Sequence, residues 1–550
     1  MNKRILFAVA AGIPMLLSAQ TAVDAFSLSR NDLRGTARFM SMAGAFGALG
    51  GDLSTLGQNP GGIGVYRKSD VGITLDIEMQ NQKTSSTIDS WSQSQTKALV
   101  TNVGYVGTAY TNSDVMPFFN WGFTYNRVAS FNRRYKGTVD MTGSLSNYIA
   151  GYTTNEGWTW GAPDANGNPT TDYLSSSDEN YFDRTHAPWM SILAFNSYMM
   201  NPVEGTTSQY NGLWDATTFG VSDFDVEEQG YVDEYDINLG GNIMDMLYWG
   251  IGLGITDIEY KQYVYYEEYL DNARRPIVGE NGNIYSGPAS STGSDVGFGV
   301  DSRKHITGTG VNFKAGLIYR PINELRLGLA IHTPTYYTLT QNNDAVVDYG
   351  YGYDSGDLKP GYTGSPITDY DWKFRTPWRL ILSAAGIIGS KAIVSLDYEY
   401  RPYQSMTAKF DNGDKCEDVC NDIKDYYKAA NIIRLGAEYR VSRNFSVRAG
   451  YSYESTPTKS EVLNDHTMVY TSSPYDDGTT PSYTLEKSTN YITCGVGYHY
   501  KSFYADAAYV HRSRTSEFHP YTPNDYTENP MTAKVKESMN NIVLSVGFKF

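Results

Sequence analysis

Three groups of residues in this 550-residue chain have types and spacings that could do chemistry. The first is Trp189, Ile192, Leu193, Phe195 and Tyr198, within the stretch His186–Met200. Pro188 suits a first helical turn, and Trp189, Ile192, Leu193 and Phe195 or Tyr198 would then share one face. Apolar side chains this dense in a connecting segment need either burial against neighbours or a hydrophobic ligand. Both readings stay open at this point. The second group is the glycine-rich run Gly44–Asp52, with Phe46, Gly50, Gly51 and Asp52. It has the glycine density of a phosphate loop but lacks the Lys-Ser/Thr ending and a strand before it. The third is the thiols and imidazoles. Cys416 and Cys420 could pair in an oxidising compartment, whereas Cys494 reads as a small apolar residue within a strand. The histidines (186, 305, 332, 466, 499, 511 and 519) are scattered without a close pair. No metal-ligand spacing or nucleophile elbow stands out, so the expectation is a non-enzyme with no metal and no cofactor. The net charge of −16 also argues against nucleic acid as a partner.

The elements that would position these groups are strands. Residues 542–550 alternate strictly: Ile542, Leu544, Val546, Phe548 and Phe550 share one face, and Val543, Ser545, Gly547 and Lys549 the other. A terminal aromatic closing such a strand is the habitual ending of outer-membrane barrels, where it addresses the chain to the barrel assembly machinery. Similar strands are expected near 68–80, 98–111, 118–135, 229–241, 246–262, 307–320, 325–340, 370–385, 391–402, 430–441, 444–454, 487–500, 502–514 and 537–550. The fold class is therefore all-β, a transmembrane antiparallel barrel of about 14 strands. Short turns are expected at 242–245, 321–324, 387–390, 442–444 and 500–502. Long outer loops are expected at 81–97, 136–228, 263–306, 341–369, 403–429, 455–486 and 515–536. An acidic stretch at Asp348–Asp357 reads as a solvated loop.

Alternation also assigns faces. Phe445, Val447, Ala449, Tyr451 and Tyr453 would face lipid, with Ser446, Arg448, Gly450, Ser452 and Glu454 inward. Ile433, Leu435, Ala437 and Tyr439 would likewise oppose Arg434 and Glu438. Charges at mid-bilayer would cost several kcal/mol if they faced lipid, so the lumen must be polar and either watery or plugged. The 46 tyrosines suit interfacial aromatic girdles.

Residues 1–19 read as a signal peptide: Lys3 and Arg4, an apolar run, then Ser18-Ala19 before Gln20. Residues 20–67 would form an N-terminal hatch in the lumen of a barrel spanning 68–550. Within the hatch, Ala, Met and Leu at helical spacing before Gly50-Gly51 suggest a short helix and its stop. Asp52–Leu56 looks like a second helix, capped by Asp52 and ended by Gly57. Asn59-Pro60-Gly61-Gly62 is a turn. This stretch, Gly44 to Tyr66, resembles the hatch of the long-chain fatty acid outer-membrane transporters of FadL/TodX type, a small-residue helix pair followed by an Asn-Pro-Ala turn. Gly61 stands here in place of that alanine. The Tyr-rich strands and long loops resemble the branch sometimes labelled hemin receptors.

The resemblance implies passive uptake of hydrophobic small molecules across the bacterial outer membrane. The steps would be capture among loop helices, transfer to an apolar pocket above the hatch, release by hatch movement, and exit through a kinked third strand. Outer-membrane lipid would be the surroundings and a monomer the working state. Hemin uptake, an open porin and an adhesive barrel are the alternatives. A TonB-dependent receptor is disfavoured because its plug is far larger than Ser27–Lys68.

Overall fold

The computed structural model describes residues 21–160, 174, 182, 187–280, 283–289, 296–351, 360–389, 391–464, 478–522 and 532–550. The expected signal, His186, His466 and residues 352–357 of the acidic stretch lie outside the described residues. Fourteen wall strands follow in chain order: β1 (Asp70–Ser85), β2 (Ser90–Tyr110), β3 (Phe118–Ser130, continued as Arg133–Asp140), β4 (Phe219–Ile243), β5 (Leu247–Asp271), β6 (Val296–Ile322) and β7 (Leu325–His332, continued as Tyr336–Tyr351). Then come β8 (Tyr370–Arg375, continued as Arg379–Ile388), β9 (Ala392–Pro402, continued as Thr407–Phe410), β10 (Ala429–Arg440), β11 (Phe445–Glu454), β12 (Tyr483–Tyr500), β13 (Phe503–His519) and β14 (Ala533–Lys549). Every neighbouring pair is antiparallel, and β1 closes on β14 from Asp70↔Lys549 to Ser85↔Lys534. The barrel therefore has no sheet edge around its closed girth.

The short turns fall where alternation places them, for example Met244–Met246 between β4 and β5 and Lys501-Ser502 between β12 and β13. The faces also fall as assigned. Ile433, Leu435, Val447 and Tyr451 are exposed, while Arg434, Glu438, Arg448 and Ser452 are buried. Cys494 points outward, opposite Ala449.

Exposed apolar residues form a belt about five outward positions deep, such as Val71, Ile73, Leu75 and Ile77 on β1. On tilted strands that depth is about 25 Å, the height of a lipid-facing band. Above it the strands continue. On β5 the outward series passes from Ile251 and Ile255 to Asp257, Glu259 and Lys261, with the ladder unbroken to Asp271. This corrects several expected loops: 81–97 is a hairpin turning at residues 86–89, and 263–306, 341–369 and 515–536 are shortened from both ends or one. Beyond the bilayer the outward face is polar, so hydrophobic alternation fades although the hydrogen-bond ladder, which does not depend on polarity, goes on.

The barrel is filled. The hatch contributes α1 (Ala22–Leu28), α2 (Ala37–Ser41), α3 (Thr55–Gln58) and a 3-10 turn, Pro60–Val65. The helix α1 begins at a capping box between Thr21 and Asp24 and was not foreseen. The helix expected over 52–56 lies later, as α3, with Gly57 inside it. Asp52 instead accepts from the Ser54 amide at 3.0 Å and the Thr36 hydroxyl at 2.7 Å, tying the two hatch loops together.

Over the outer half lie α4 (Leu145–Glu156), α5 (Trp189–Asn196) and, lower down, α6 (Glu417–Tyr426). One apolar core joins α4 and α5 to inward residues of β3 to β7, β13 and β14. A second joins α1 and α6 to the wall at mid-height. Cys416 and Cys420 are both buried at the start of α6 and are not joined in a disulfide.

Candidate functional site

The lower hatch packs on a ring of small wall residues. Ten inward glycines on β1–β7 and β10–β12 (Gly72, 104, 122, 240, 250, 316, 328, 436, 450 and 495) would each, given a Cβ, meet hatch atoms at 1.9–3.2 Å. Alternation places these glycines inward but says nothing of what approaches them. The Asn59-Pro60-Gly61 turn is the closest approach. The Asn59 side chain accepts from the Gly61 amide at 3.0 Å and donates to Gly47 O at 2.5 Å and, on the wall, to Leu317 O at 3.3 Å. A methyl on Gly61 would sit 2.9 Å from the Gly316 backbone, so the departure from alanine lets the turn lie directly on β6. His332 on β7 meets Gln58 O at 2.8 Å, which occupies that imidazole structurally. Phe46 packs beside Phe39, and Gly50 and Gly51 both take left-handed φ, at 64° and 68°.

Above this ring the hatch is clamped by charge. Asp32 accepts from Arg512 at 3.1 Å and Arg514 at 3.0 Å, with Arg34 at 3.8 Å. Arg34 also pairs with Glu78, Arg30 with Glu486 at 3.9 Å and Asp24 with Lys304 at 2.8 Å, while on the short-turn side of the ring Arg38 pairs with Glu438 at 3.2 Å. On the wall itself Glu399 gathers Arg379, Arg401 and Arg434 at 2.6–2.7 Å. These hatch charges were not singled out from sequence. Their signal was available: five charges between Asp24 and Arg38, in a segment that had to meet inward Arg and Glu.

The cavities beside this layer are small and polar. One of about 80 Å³, room for a few waters, is lined by Asp32, Arg34, Arg127, Glu234, Arg379 and Arg434 among others. The apolar pocket expected above the hatch is thus replaced, in the described residues around this cavity, by ion pairs.

At the third strand the wall opens. β2 and β3 pair only from Asn102↔Asn126 to Tyr110↔Phe118. Above that, Ser90–Val100 of β2 pairs with β1 alone. On its other side β3 bulges between Arg127 and Ala129 and breaks between Ser130 and Arg133. The breaks in β7 and β8 fall at Pro334 and Pro377, where an amide donor is missing. β3 has no proline there. Its bulge is held by the hatch: the Asp32 amide donates to Val128 O at 3.0 Å, and the Ser130 amide to Asp32 Oδ2 at 3.5 Å. One hatch residue therefore carries both the charge clamp and a backbone bond to the wall break.

The five candidate ligand residues all lie on or just after α5. Trp189, Ile192 and Leu193 are inside the outer apolar core, and Phe195 and Tyr198 are partly buried at its edge. In this closed state the helix is core, facing neighbouring segments rather than an open groove. The cap is latched to the wall by Glu268 of β5, which lies 13 residues beyond the last belt residue Ile255 and so outside the membrane span. Glu268 accepts from Ser144 Oγ at 2.5 Å, the Leu145 amide at the start of α4 at 2.8 Å, and the Tyr266 hydroxyl at 2.8 Å. Burial outweighs those donors and pushes its carboxyl up to about 7.

A carboxyl raised on closing favours the closed cap while protonated. Its contribution is complete below the ordinary pKa of about 4.5 and is lost as pH rises to about 7. Glu268→Gln, a neutral isostere, is expected to remove this dependence. Hydrogen exchange of residues 144–156 should slow in the variant at pH 8, by an amount on the order of 3 kcal/mol in opening energy, and match wild type near pH 4.5. Equal exchange at pH 8 would show that the latch is not electrostatic.

No protein-family profile matches the sequence, and no curated protein matches it. Among solved structures, the crystal structure of a Pseudomonas aeruginosa FadL homologue matches at TM-score 0.52 and 13% identity, covering 94% of this chain and 99% of that one. The Pseudomonas putida toluene transporter TodX gives 0.45 at 13% identity, with 94% and 99% covered. The Ralstonia pickettii toluene transporter TbuX gives 0.44 at 14%, with the same coverage. The chain shares the FadL/TodX-type fold: a closed 14-strand antiparallel barrel around an N-terminal hatch.

Proposed function

From that fold, we propose that the chain is a bacterial outer-membrane transporter that admits hydrophobic small molecules passively and hands them to the bilayer through the side of the barrel. The observation that carries this reading is the unpaired edge of β2 beside the broken β3, at the upper margin of the lipid belt, with the hatch backbone bonded to the break. An unpaired strand edge at a membrane is costly, and here it adjoins a segment that the hatch backbone itself holds. Capture would begin at the outer cap. Trp189, Ile192, Leu193, Phe195 and Tyr198 would meet the ligand when the α4–α5 core parts. Hatch movement around Asp32 and the Phe46–Asp52 and Asn59–Gly61 loops would then free the third strand. A monomer, assembly through the C-terminal strand ending at Phe550, and a signal peptide over 1–19 belong to the same reading.

A general porin fits less well, because the hatch packs tightly against the wall and cap helices fill the outer half. Of the imidazoles, His332 is bonded to Gln58 and His511 to Asn540 on the outer face, so neither of these two is free for iron.

Lys97 of β2 and Asn132, in the break of β3, face each other across the gap, Nζ to Oδ1 at 2.5 Å. In a background without native thiols, Lys97→Cys and Asn132→Cys joined by a short reducible bis-thiosulfonate should abolish uptake of a hydrophobic fluorophore into lipid vesicles. Cleaving the bridge should restore it. Undiminished uptake by the bridged protein would rule out the lateral route.

A further inference from the structure

The barrel closes where β1 meets β14, and the register there sets two lysines side by side. Lys83 lies directly opposite Lys536, and Lys534 opposite Ser85, one outward position higher. All three are exposed and stand outward, in line with the lipid-facing Ile77 and Ile542 lower on the same strands. None of them has an ion pair among the described residues. The acid that the register sets beside them, Glu517 opposite Lys534, is held by Lys487 at 2.6 Å. Like charges directly opposite in a ladder repel, and nothing in the strand pairing requires lysine there. The whole chain has 60 acidic residues against 44 basic ones, so a cationic face without an acid of its own runs against its composition.

Around the lysines the outward face is made of hydroxyls and amides. Ser513, Ser538, Asn81 and Ser94 form one row across β13, β14, β1 and β2, and Thr515 and Ser92 flank the lysine pair in the next. Such a face offers donors and acceptors to sugar hydroxyls and ammonium groups to an anion. Lys536 stands six residues beyond Ile542, roughly 10–15 Å along the membrane normal on tilted strands. The headgroup layer of a glycerophospholipid ends about 5–8 Å beyond the hydrocarbon, below the lysine pair. On the far side of the barrel the outward face above the belt carries Asp225, Glu227, Asp257 and Glu259. A bound anion therefore belongs at the β1–β14 seam and not on that side.

We propose that this seam face binds the phosphorylated sugar headgroup of an outer-leaflet glycolipid, with one phosphate between Lys83 and Lys536, Lys534 above it, and the serine and asparagine row on the sugar. Two facing ammonium groups, unfavourable alone, become a two-pronged site once an anion lies between them. The height favours a lipid that carries its anionic groups on sugars over a glycerophospholipid. Exposed, flexible lysines suit a lipid laid along the outer wall rather than an enclosed ligand. The bound lipid would touch the first and last strands together, so its binding also braces the closure of the barrel. The inference rests on the outer-membrane placement and not on the uptake route.

The test is native mass spectrometry of the full chain in a non-ionic detergent, titrated with bisphosphorylated lipid A, phosphate-free lipid A, phosphatidylglycerol and inorganic phosphate. One bisphosphorylated lipid A per barrel should be retained at least tenfold more tightly than the phosphate-free form or phosphatidylglycerol. Lys83→Gln with Lys536→Gln should erase that preference, and Lys83→Arg with Lys536→Arg should keep it. Lys261→Gln with Arg303→Gln, the same loss of charge on the far face, should leave it unchanged. Without lipid the Lys83/Lys536 glutamine variant should melt no lower than wild type, because it relieves a repulsion. A lower melting point would mean that the lysines brace the seam by themselves, and would overturn the proposal. Equal retention by the glutamine variant, phosphatidylglycerol bound as tightly, or lipid A displaced by millimolar phosphate would overturn it as well. The bridged Lys97/Asn132 protein should retain lipid A normally, so failure here and failure of lateral uptake are distinguishable.

Discussion

Asp32→Ala is expected to loosen the hatch by about 3–5 kcal/mol, the usual penalty for removing one partner from a buried ion cluster. Arg512 and Arg514 lie at 3.1 and 3.0 Å from Asp32, and Arg34 at 3.8 Å, in a layer closed to solvent. Arg512 keeps Glu537 and Arg34 keeps Glu78, but Arg514 has no other acid among the described residues. The variant thus buries one cation with nothing to balance it. The backbone bond from residue 32 to Val128 does not need the side chain, so the bulge in β3 should survive in part. Hydrogen exchange over residues 28–66 should rise by several hundred-fold or more while the amides of β10–β14 stay protected. Asp32→Asn, which keeps hydrogen-bonding shape but not charge, should fall nearly as far. Asp32→Ala combined with Arg514→Met should recover part of the protection, because the stranded cation is gone. Unchanged exchange in the single variant would mean that the clamp does not hold the hatch.

Gly250→Val is expected to unseat the hatch without harming the wall. Valine suits a β-strand, and the ladder partners of Gly250 are Gly240 and Gly316, so the strand itself has room along the sheet. Across the lumen there is none. A Cβ at this position would lie 2.1 Å from Pro60 O and 2.4 Å from Pro60 C, and those are backbone atoms that cannot rotate away. The barrel should assemble and keep its wall amides protected, while residues 59–66 lose exchange protection and the hatch becomes open to protease added on the short-turn side. Gly386→Val is the control, because nothing lies within 4 Å of a Cβ there. Should Gly250→Val protect its hatch as Gly386→Val does, the glycine ring would not be what the hatch rests on.

Much of the barrel is legible without coordinates, because membrane physics writes itself into the chain at period two. Ile433, Leu435 and Val447 had to face lipid, and Arg434, Glu438 and Arg448 had to turn away from it. The strand count, the parity and the tight inner turns follow from the same rule. That rule loses its force above the belt, where Asp257, Glu259 and Lys261 stand outward at no penalty, so the upper strands read as loops. The Asn59-Pro60-Gly61 turn and the small residues around it were also legible, since few other residues permit such a turn.

The site itself was decided by tertiary structure. Alternation shows that Gly250 and Gly316 face inward, but only the packed hatch makes their missing side chains necessary. It shows that Arg512 and Arg514 point into the lumen, yet their joining on Asp32, some 480 residues earlier in the chain, is a matter of three-dimensional closure. The α5 segment was expected to be apolar on one face, but the six consecutive residues Trp189–Ala194 are buried, and the barrel folding around it set its state as core. Which solvent each wall residue meets is settled locally, because facing lipid is a property of the strand's own alternation. Only the tertiary structure decided which hatch residue meets which wall residue, because those contacts depend on how the ends of the chain are brought together.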